Sequence, residues 1–325
     1  DGVSLKGWDG PTNLWHVEDG AIVVQSKADP PTGSVYLLYT GSDDGLVHVS
    51  RDGGESWTKI SDNLPQKLWV SRVVASAHER GRVYVSLNGY RWDDFSSYLY
   101  TSEDYGKTWQ RIGLDASGSG SGLPAEPVNV VREDPSNPDV LYVGTDHGVY
   151  VSLDRGNSFQ TLSTDFPDCP VHDLVVQADA KDLIIGTHGR SAYKVSIDHI
   201  QQLTPGVLAE ALHVFDLGKK RFSKNWGKKQ NFQALKGPEL PVTFYAGSVG
   251  KVVWSVKMKE SGLVLNTGTA DCVKGLNRVD YTLDLREDVL KKYRETLEGA
   301  AEGAKPGKDK PKETTRKPLE IEQAD

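Results

Sequence analysis

Three short stretches concentrate side chains able to do chemistry. Residues 90–95 read Tyr-Arg-Trp-Asp-Asp-Phe, and Gly41-Ser42-Asp43-Asp44-Gly45 and Gly144-Thr145-Asp146-His147-Gly148 set acids between glycines. A fourth, Gly186-Thr187-His188-Gly189-Arg190, adds an imidazole and a guanidinium. Aromatic rings stack on the apolar face of a sugar while charged groups bond its hydroxyls. Two carboxylates across a cleft, about 5 to 9.5 Å apart, form the apparatus of glycoside hydrolysis. Asp93 or Asp94 with Asp44 or Asp146 would be that pair. Candidate ligand contacts are Trp69, Arg72, Tyr90, Arg91, Trp92, His147, His188 and Arg190, with Asp43, Asn88, His172 and Asp173 beside them. Each acid has a plainer reading, because Asp and Gly also build ordinary tight turns. His172, Asp173 and His188 likewise have one as satisfied core groups. No metal and no cofactor is expected. The 90–95 stretch stands out, since three exposed rings are costly without a partner.

The elements that must position these residues repeat. Ser50-Arg-Asp52-Gly-Gly54-Glu-Ser56-Trp57 recurs as Ser102-Glu-Asp104-Tyr-Gly106-Lys-Thr108-Trp109 and as Ser152-Leu-Asp154-Arg-Gly156-Asn-Ser158-Phe159. The pattern is S-x-D-x-G-x-[ST]-aromatic, with its aspartates 52 and 50 residues apart. A short Asp side chain accepts from nearby backbone N–H groups, Gly supplies positive φ, and the aromatic packs beneath the turn. Asp52, Asp104 and Asp154 are therefore expected to be structural.

Upstream of each turn lie paired strands joined by a polar, Gly-containing loop, at 37–50, 82–102 and 141–152, with a further copy at 183–196. Segments 69–77, 127–134 and 170–178 read as inner strands. Four strands per unit of about 50 residues describe a propeller blade. Residues 34–200 would hold two whole blades, a first lacking its inner strand and a last lacking its outer strand and turn. Closed propellers use about four to eight blades, so the arc is expected to close with its own N-terminal strands, with another chain, or with further sequence. In such a blade the loops between strands two and three gather on one face with the interblade loops. That face would collect the candidate residues.

Composition narrows the rest. Thirty-three Gly and thirteen Tyr in 325 residues, set among short Val/Ile/Tyr runs, fit many strands and tight turns. A formal net charge of -7 argues against nucleic acid as a partner. No apolar run is long enough for a membrane-spanning helix. The chain starts at Asp1 without a Met, which fits a processed or incomplete N-terminus. Cys169 and Cys272 read as free buried thiols, with pairing in an oxidising compartment as the alternative.

The repeated turn resembles the Asp box of the sialidase, sortilin and xyloglucanase-like β-propellers. GSDDGLVHVSRDGGESW, PVNVVREDP, LYVGTDHGVYVS and GTHGR, within 34–285, resemble the large bacterial sortilin-like, BNR-repeat proteins of glycosyl hydrolase type. In that family a stretch like 203–215 leaves the propeller for a small Ig-like sheet, here matching 241–285. The resemblance implies export: secretion, the periplasm or the cell surface. The F/Y-R-I-P motif of sialidases is absent, which argues against that activity. Residues 7–25 locally resemble the opening strands of the 3-keto-disaccharide hydrolase domain, a lectin-like jelly roll.

The expected plan is all-β: N-terminal strands over 1–33, propeller blades over 34–202, a linker over 203–240, an Ig-like sheet over 241–285, and a helix with a charged tail over 286–325. In the last segment Val289, Leu290, Tyr293 and Leu297 share a helical face. Residues 116–122 read as a flexible loop or an artificial linker, the basic 219–229 stretch as a solvated linker with phosphate contact as the alternative, and the tail beyond 301 as disordered. The function expected is a binding or scaffold module that presents its loop face to a glycan or a protein. The alternative is a two-carboxylate glycoside hydrolase.

Overall fold

The computed structural model describes residues 15–18, 21–24, 37–115, 121–163, 165–218, 239–259, 261–292 and 295. The expectations for 116–120, 219–229, Tyr293, Leu297 and the tail lie outside the described residues. Two compact units divide the chain, residues 1–179 with 183–195 and residues 180–182 with 196–325.

Strands β1 (Trp15–Glu18) and β2 (Ala21–Val24) pair antiparallel. Four antiparallel sheets then follow in chain order. The first holds β3 (Leu38–Gly41), β4 (Val47–Ser50) and β5 (Thr58–Lys59). The second holds β6 (Trp69–Ala75), β7 (Val83–Gly89), β8 (Asp94–Ser102) and β9 (Gln110–Arg111). The third holds β10 (Val128–Glu133), β11 (Leu141–Thr145), β12 (Val149–Ser152) and β13 (Gln160–Thr161). The fourth holds β14 (Val171–Gln177), β15 (Asp182–Thr187) and β16 (Ala192–Ser196). The fold is all-β and propeller-like. Its meander of short sheets follows from β-branched and aromatic runs broken every few residues by Gly and Asp turns.

The core lies between sheets. Val47, Val49, Ile60 and Leu68 of the first sheet and the segment after it meet Val70, Val83, Val85 and Leu87 of the second. Tyr84, Leu99 and Ile112 meet Val128, Val131, Leu141 and Val143 in the same way. Strand β7, flanked by β6 and β8, is buried along its whole length.

The Ser-Asp-Gly turns stitch each sheet to the one before it. Gly106 and Gly156 have φ of +83° and +88°, a region that disfavours side chains. A Cβ on Gly106 would lie 2.4 Å from Ile60 Cδ1, and one on Gly156 2.5 Å from Ile112 Cδ1. The Trp109 indole donates to the Ile60 carbonyl at 2.7 Å, and Phe159 is buried against Ile112 and its neighbours. Trp57, the equivalent residue of the first sheet, is 43% exposed.

In the second unit α1 (Asp198–Gln201) and α2 (Pro205–Leu208) come first, the latter capped by Thr204 Oγ1. Residues 203–240, expected as linker, also contribute β17 (Leu212–Val214). It pairs with β18 (Leu240–Ala246), its Leu212 and Val214 opposite Ala246 and Phe244. Strands β19 (Gly250–Lys257) and β20 (Val264–Cys272) form a hairpin, and β21 (Gly275–Tyr281) pairs with β18. Phe244, Ala246 and Cys272 pack with Val214, Val252 and Val279 between the two sheets. Trp254 lies over Gly268, where a Cβ would come 2.2 Å from its ring. Residues 287–292 are helical, with Val289 buried. Cys169 and Cys272 are both free and buried.

Candidate functional site

The registers decide which loops share an end. Trp69 pairs with Asn88, Gly89 with Asp94, Val128 with Thr145 and Gly41 with Val47. The 42–46, 89–93 and 146–148 turns and the starts of β6 and β10 therefore lie at one end of their sheets. The Ser-Asp-Gly turns lie at the other, where Ser50, Ser102 and Ser152 pair with Leu38, Val83 and Leu141.

At that turn end the aspartates are consumed by the fold. Asp104 accepts from Ser102 Oγ, Thr108 N and Thr108 Oγ1 at 2.8, 2.9 and 2.7 Å. Asp154 accepts from Ser152 Oγ at 2.8 Å and from Ser158 N at 2.8 Å and Oγ at 2.5 Å. Asp52 accepts from Ser50 Oγ, Ser56 N and Ser56 Oγ. These donors favour the charged form: the Ser56 hydroxyl and amide hold Asp52 far below the usual carboxylate range, and the Thr108 amide brings Asp104 to about 2. A cleft of about 380 Å³ opens between the first two turns, lined among others by Arg51, Lys59, Asp62 and Lys107. It contains none of the candidate residues.

At the loop end Tyr90–Trp92 form one turn of 3₁₀ helix, closed by Asp93 in the left-handed region at φ 57°. Tyr90, Trp92 and Phe95 are 44%, 57% and 53% exposed. Arg91 stacks 4.8 Å from the Trp69 ring centroid and 5.9 Å from that of Tyr90. The aromatic turn and Trp69 therefore form one constellation. Asp94 accepts from Tyr98 Oη at 2.7 Å and from Ser96 N at 3.0 Å, and the tyrosine bond holds its carboxyl below the usual range. Ser42 Oγ donates to Asp44 and lowers its pKa likewise.

A line of amides joins this turn to the third sheet. Tyr90 N–H donates to Asn88 Oδ1 at 3.0 Å, Asn88 Nδ2 to Asn129 Oδ1 at 2.9 Å, and Asn129 Nδ2 to Asp146 Oδ1 at 2.8 Å. Glu126 lies beside Asp146's neighbours, accepting from Thr145 Oγ1 at 2.7 Å and standing 3.5 Å from His147 Nδ1. Asn129 and Glu126 carry no motif of their own. The one sign of Asn129 is a polar residue set between the buried valines of Pro-Val-Asn-Val-Val.

The remaining candidates lie apart from this line, around Asp173 and the 188–191 turn. Arg72 and Arg132 both donate to Asp173 Oδ1, at 2.9 and 3.2 Å, and Arg132 Nε donates to the Leu174 carbonyl at 2.7 Å. His172 and His188 stack with centroids 5.4 Å apart. Arg190 is exposed in the 188–191 turn. No group of three or more His, Cys, Asp or Glu among the described residues is placed to hold a metal ion.

Comparison with known proteins gives partial matches. No family model matches the chain. A xyloglucanase of Paenibacillus sp is 32% identical over 95 residues, 25% of this chain and 9% of that protein. The chain thus spans under a tenth of that relative's length. Among solved structures, a GH74 xyloglucanase from Xanthomonas campestris is 17% identical with a TM-score of 0.36, covering 71% of this chain and 35% of that one. A GH74 enzyme from Niastella koreensis is 14% identical with a TM-score of 0.38, covering 66% and 32%. YCF48 bound to a D1 peptide is 14% identical with a TM-score of 0.33, covering 48% and 49%.

Proposed function

We propose that the first unit is an exported binding or scaffold module of Asp-box type whose loop face engages a glycan or a protein. One observation carries the reading: Tyr90 and Trp92 on the 3₁₀ turn and Phe95 at the start of β8 are all exposed, next to carboxylates and tied by hydrogen bonds into the sheets. Such a cluster loses water-exposed apolar surface only when a partner covers it. Rings held by a rigid scaffold also bind with little loss of conformational entropy. Probing a glycan array and a peptide array with the wild type and with Trp92→Ala tests it. Binding abolished by the substitution supports the reading, and arrays identical for both proteins would refute it.

A glycoside hydrolase is the second reading, favoured by the local likeness to a xyloglucanase. Asp44 and Asp94 are lowered in pKa, which suits a base or nucleophile and is opposite to what a general acid needs. An acid would have to come from Asp93 or Asp146. Release of reducing ends from xyloglucan, lost in Asp146→Asn, would favour this reading over simple binding.

We further infer that another chain, or a second copy, completes the arc beside Trp57. Light scattering of the purified chain checks this, a strict monomer with Trp57 open to quenchers being the contrary result.

A further inference from the structure

The loop end of the first three sheets is one continuous strip. Val70 N donates to the Ser42 carbonyl at 3.0 Å, a Cβ on Gly45 would lie 2.9 Å from the Leu68 carbonyl, and one on Gly89 would lie 3.1 Å from Leu68 Cδ2. The Asn88–Asn129–Asp146 bonds extend it into the third sheet. Asp43, Asp44, Asp93, Asp94, Glu126 and Asp146 stand on this strip against the cations Lys67, Arg91 and Arg111. Like charges gathered on one low-dielectric surface raise the potential for a counter-charge and steer it inward.

The strip also shows how it handles such a charge. Arg91 stacks on Trp69, and Arg111 stacks 4.7 Å from the Tyr98 centroid, whose hydroxyl is bonded to Asp94. Each guanidinium lies over a ring close to a carboxylate-bearing turn. Trp92 and Phe95 flank Asp93 and Asp94 and are the most exposed rings of the strip, and no described Arg or Lys lies over either. The neighbouring Arg72, Arg132 and Asp173 group sets two guanidinium groups against one carboxylate, so it offsets part of the strip's negative excess and leaves the strip acidic.

We propose that this strip docks an extended, arginine- and lysine-bearing segment of a protein partner, with guanidinium groups seated on Trp92 and Phe95 between the carboxylates. The inference rests on the loop face being the binding surface and narrows its partner to a cationic polypeptide.

The test titrates the full chain with fluorescein-labelled tetra-arginine, with tetra-glutamate and with a neutral xyloglucan oligosaccharide. Tetra-arginine should bind at least roughly tenfold more tightly than tetra-glutamate and weaken about tenfold from about 50 to 500 mM salt. Trp92→Ala should weaken it about fivefold or more, as should the pair Asp93→Asn and Asp146→Asn, while Asp271→Asn on the second unit leaves it unchanged. Unaltered circular dichroism and melting confirm that each variant folds. Tetra-arginine binding that ignores Trp92→Ala would place the cation elsewhere on an acidic chain and overturn the proposal. Oligosaccharide binding lost in Trp92→Ala, without tetra-arginine binding, would overturn the cationic partner and leave the loop face standing. If no probe responds to Trp92→Ala, both fall.

Discussion

Asp104 and Asp94 bracket the same strand, β8 and the turn after it, and meet opposite fates. Asp104 takes three hydrogen bonds from its own turn, whose glycine and tryptophan lock against Ile60 of the preceding sheet. Asp94 takes two, from Ser96 and Tyr98, and sits between an exposed aspartate and an exposed phenylalanine. The same contrast holds between Asp154 and Asp146 on the third sheet. An Asp-Gly turn is structural when its neighbours supply a hydroxyl at both flanks. Where the loop instead holds rings with no internal cover, its acids remain available to a ligand.

Substitutions at the two ends should separate stability from binding. The largest loss of stability is expected for Trp109→Ala, about 3 kcal/mol from lost packing and the lost bond to Ile60; chemical denaturation measures it. Gly106→Ala should cost about 2 kcal/mol, because its Cβ meets Ile60 in a left-handed backbone. At the loop end Asn88→Ala should cost about 1 to 2 kcal/mol by removing a buried amide and leaving its part-buried partners, Tyr90 N–H and Asn129 Oδ1, unmet. Trp92→Ala should change stability by less than about 0.5 kcal/mol, although it removes the contact proposed as central to binding at the loop face.

Acid sharpens the same contrast. Asp104 has a folded pKa of about 2 against an unperturbed value of 3.8. Its stabilisation is full above the unfolded value and is lost as pH falls from about 4 towards 2. Asp52, shifted in the same direction, adds to this slope. Melting temperatures recorded across that window should fall for the wild type and fall less for Asp104→Asn.

How much of this was legible in the sequence follows from how far apart the interacting residues lie. The turn end was readable because the side-chain and amide donors to each of its aspartates fall within eight consecutive residues, repeated three times. The two complete four-stranded sheets were readable from the same repeat. The candidate acids and rings were visible as residues, but their grouping was not. Arg72 and Arg132 share Asp173 across 101 and 41 positions, and Asn88 meets Asn129 across another 41. No local pattern encodes such pairings. Strand β17 was hidden for a different reason: three residues ending in Leu-His-Val give no alternation long enough to mark a strand, and its partner lies beyond the 219–238 stretch.

The central claim is that the blades divide their labour, the turn end holding the fold and the loop end holding a partner. Hydrogen–deuterium exchange of the chain with and without the ligand recovered from the arrays tests it most directly. The account predicts protection confined to residues 42–46, 67–69, 88–95 and 145–148, with the 50–57 and 102–109 turns unchanged. Protection centred on those turns, with the 88–95 segment unaffected, would contradict it.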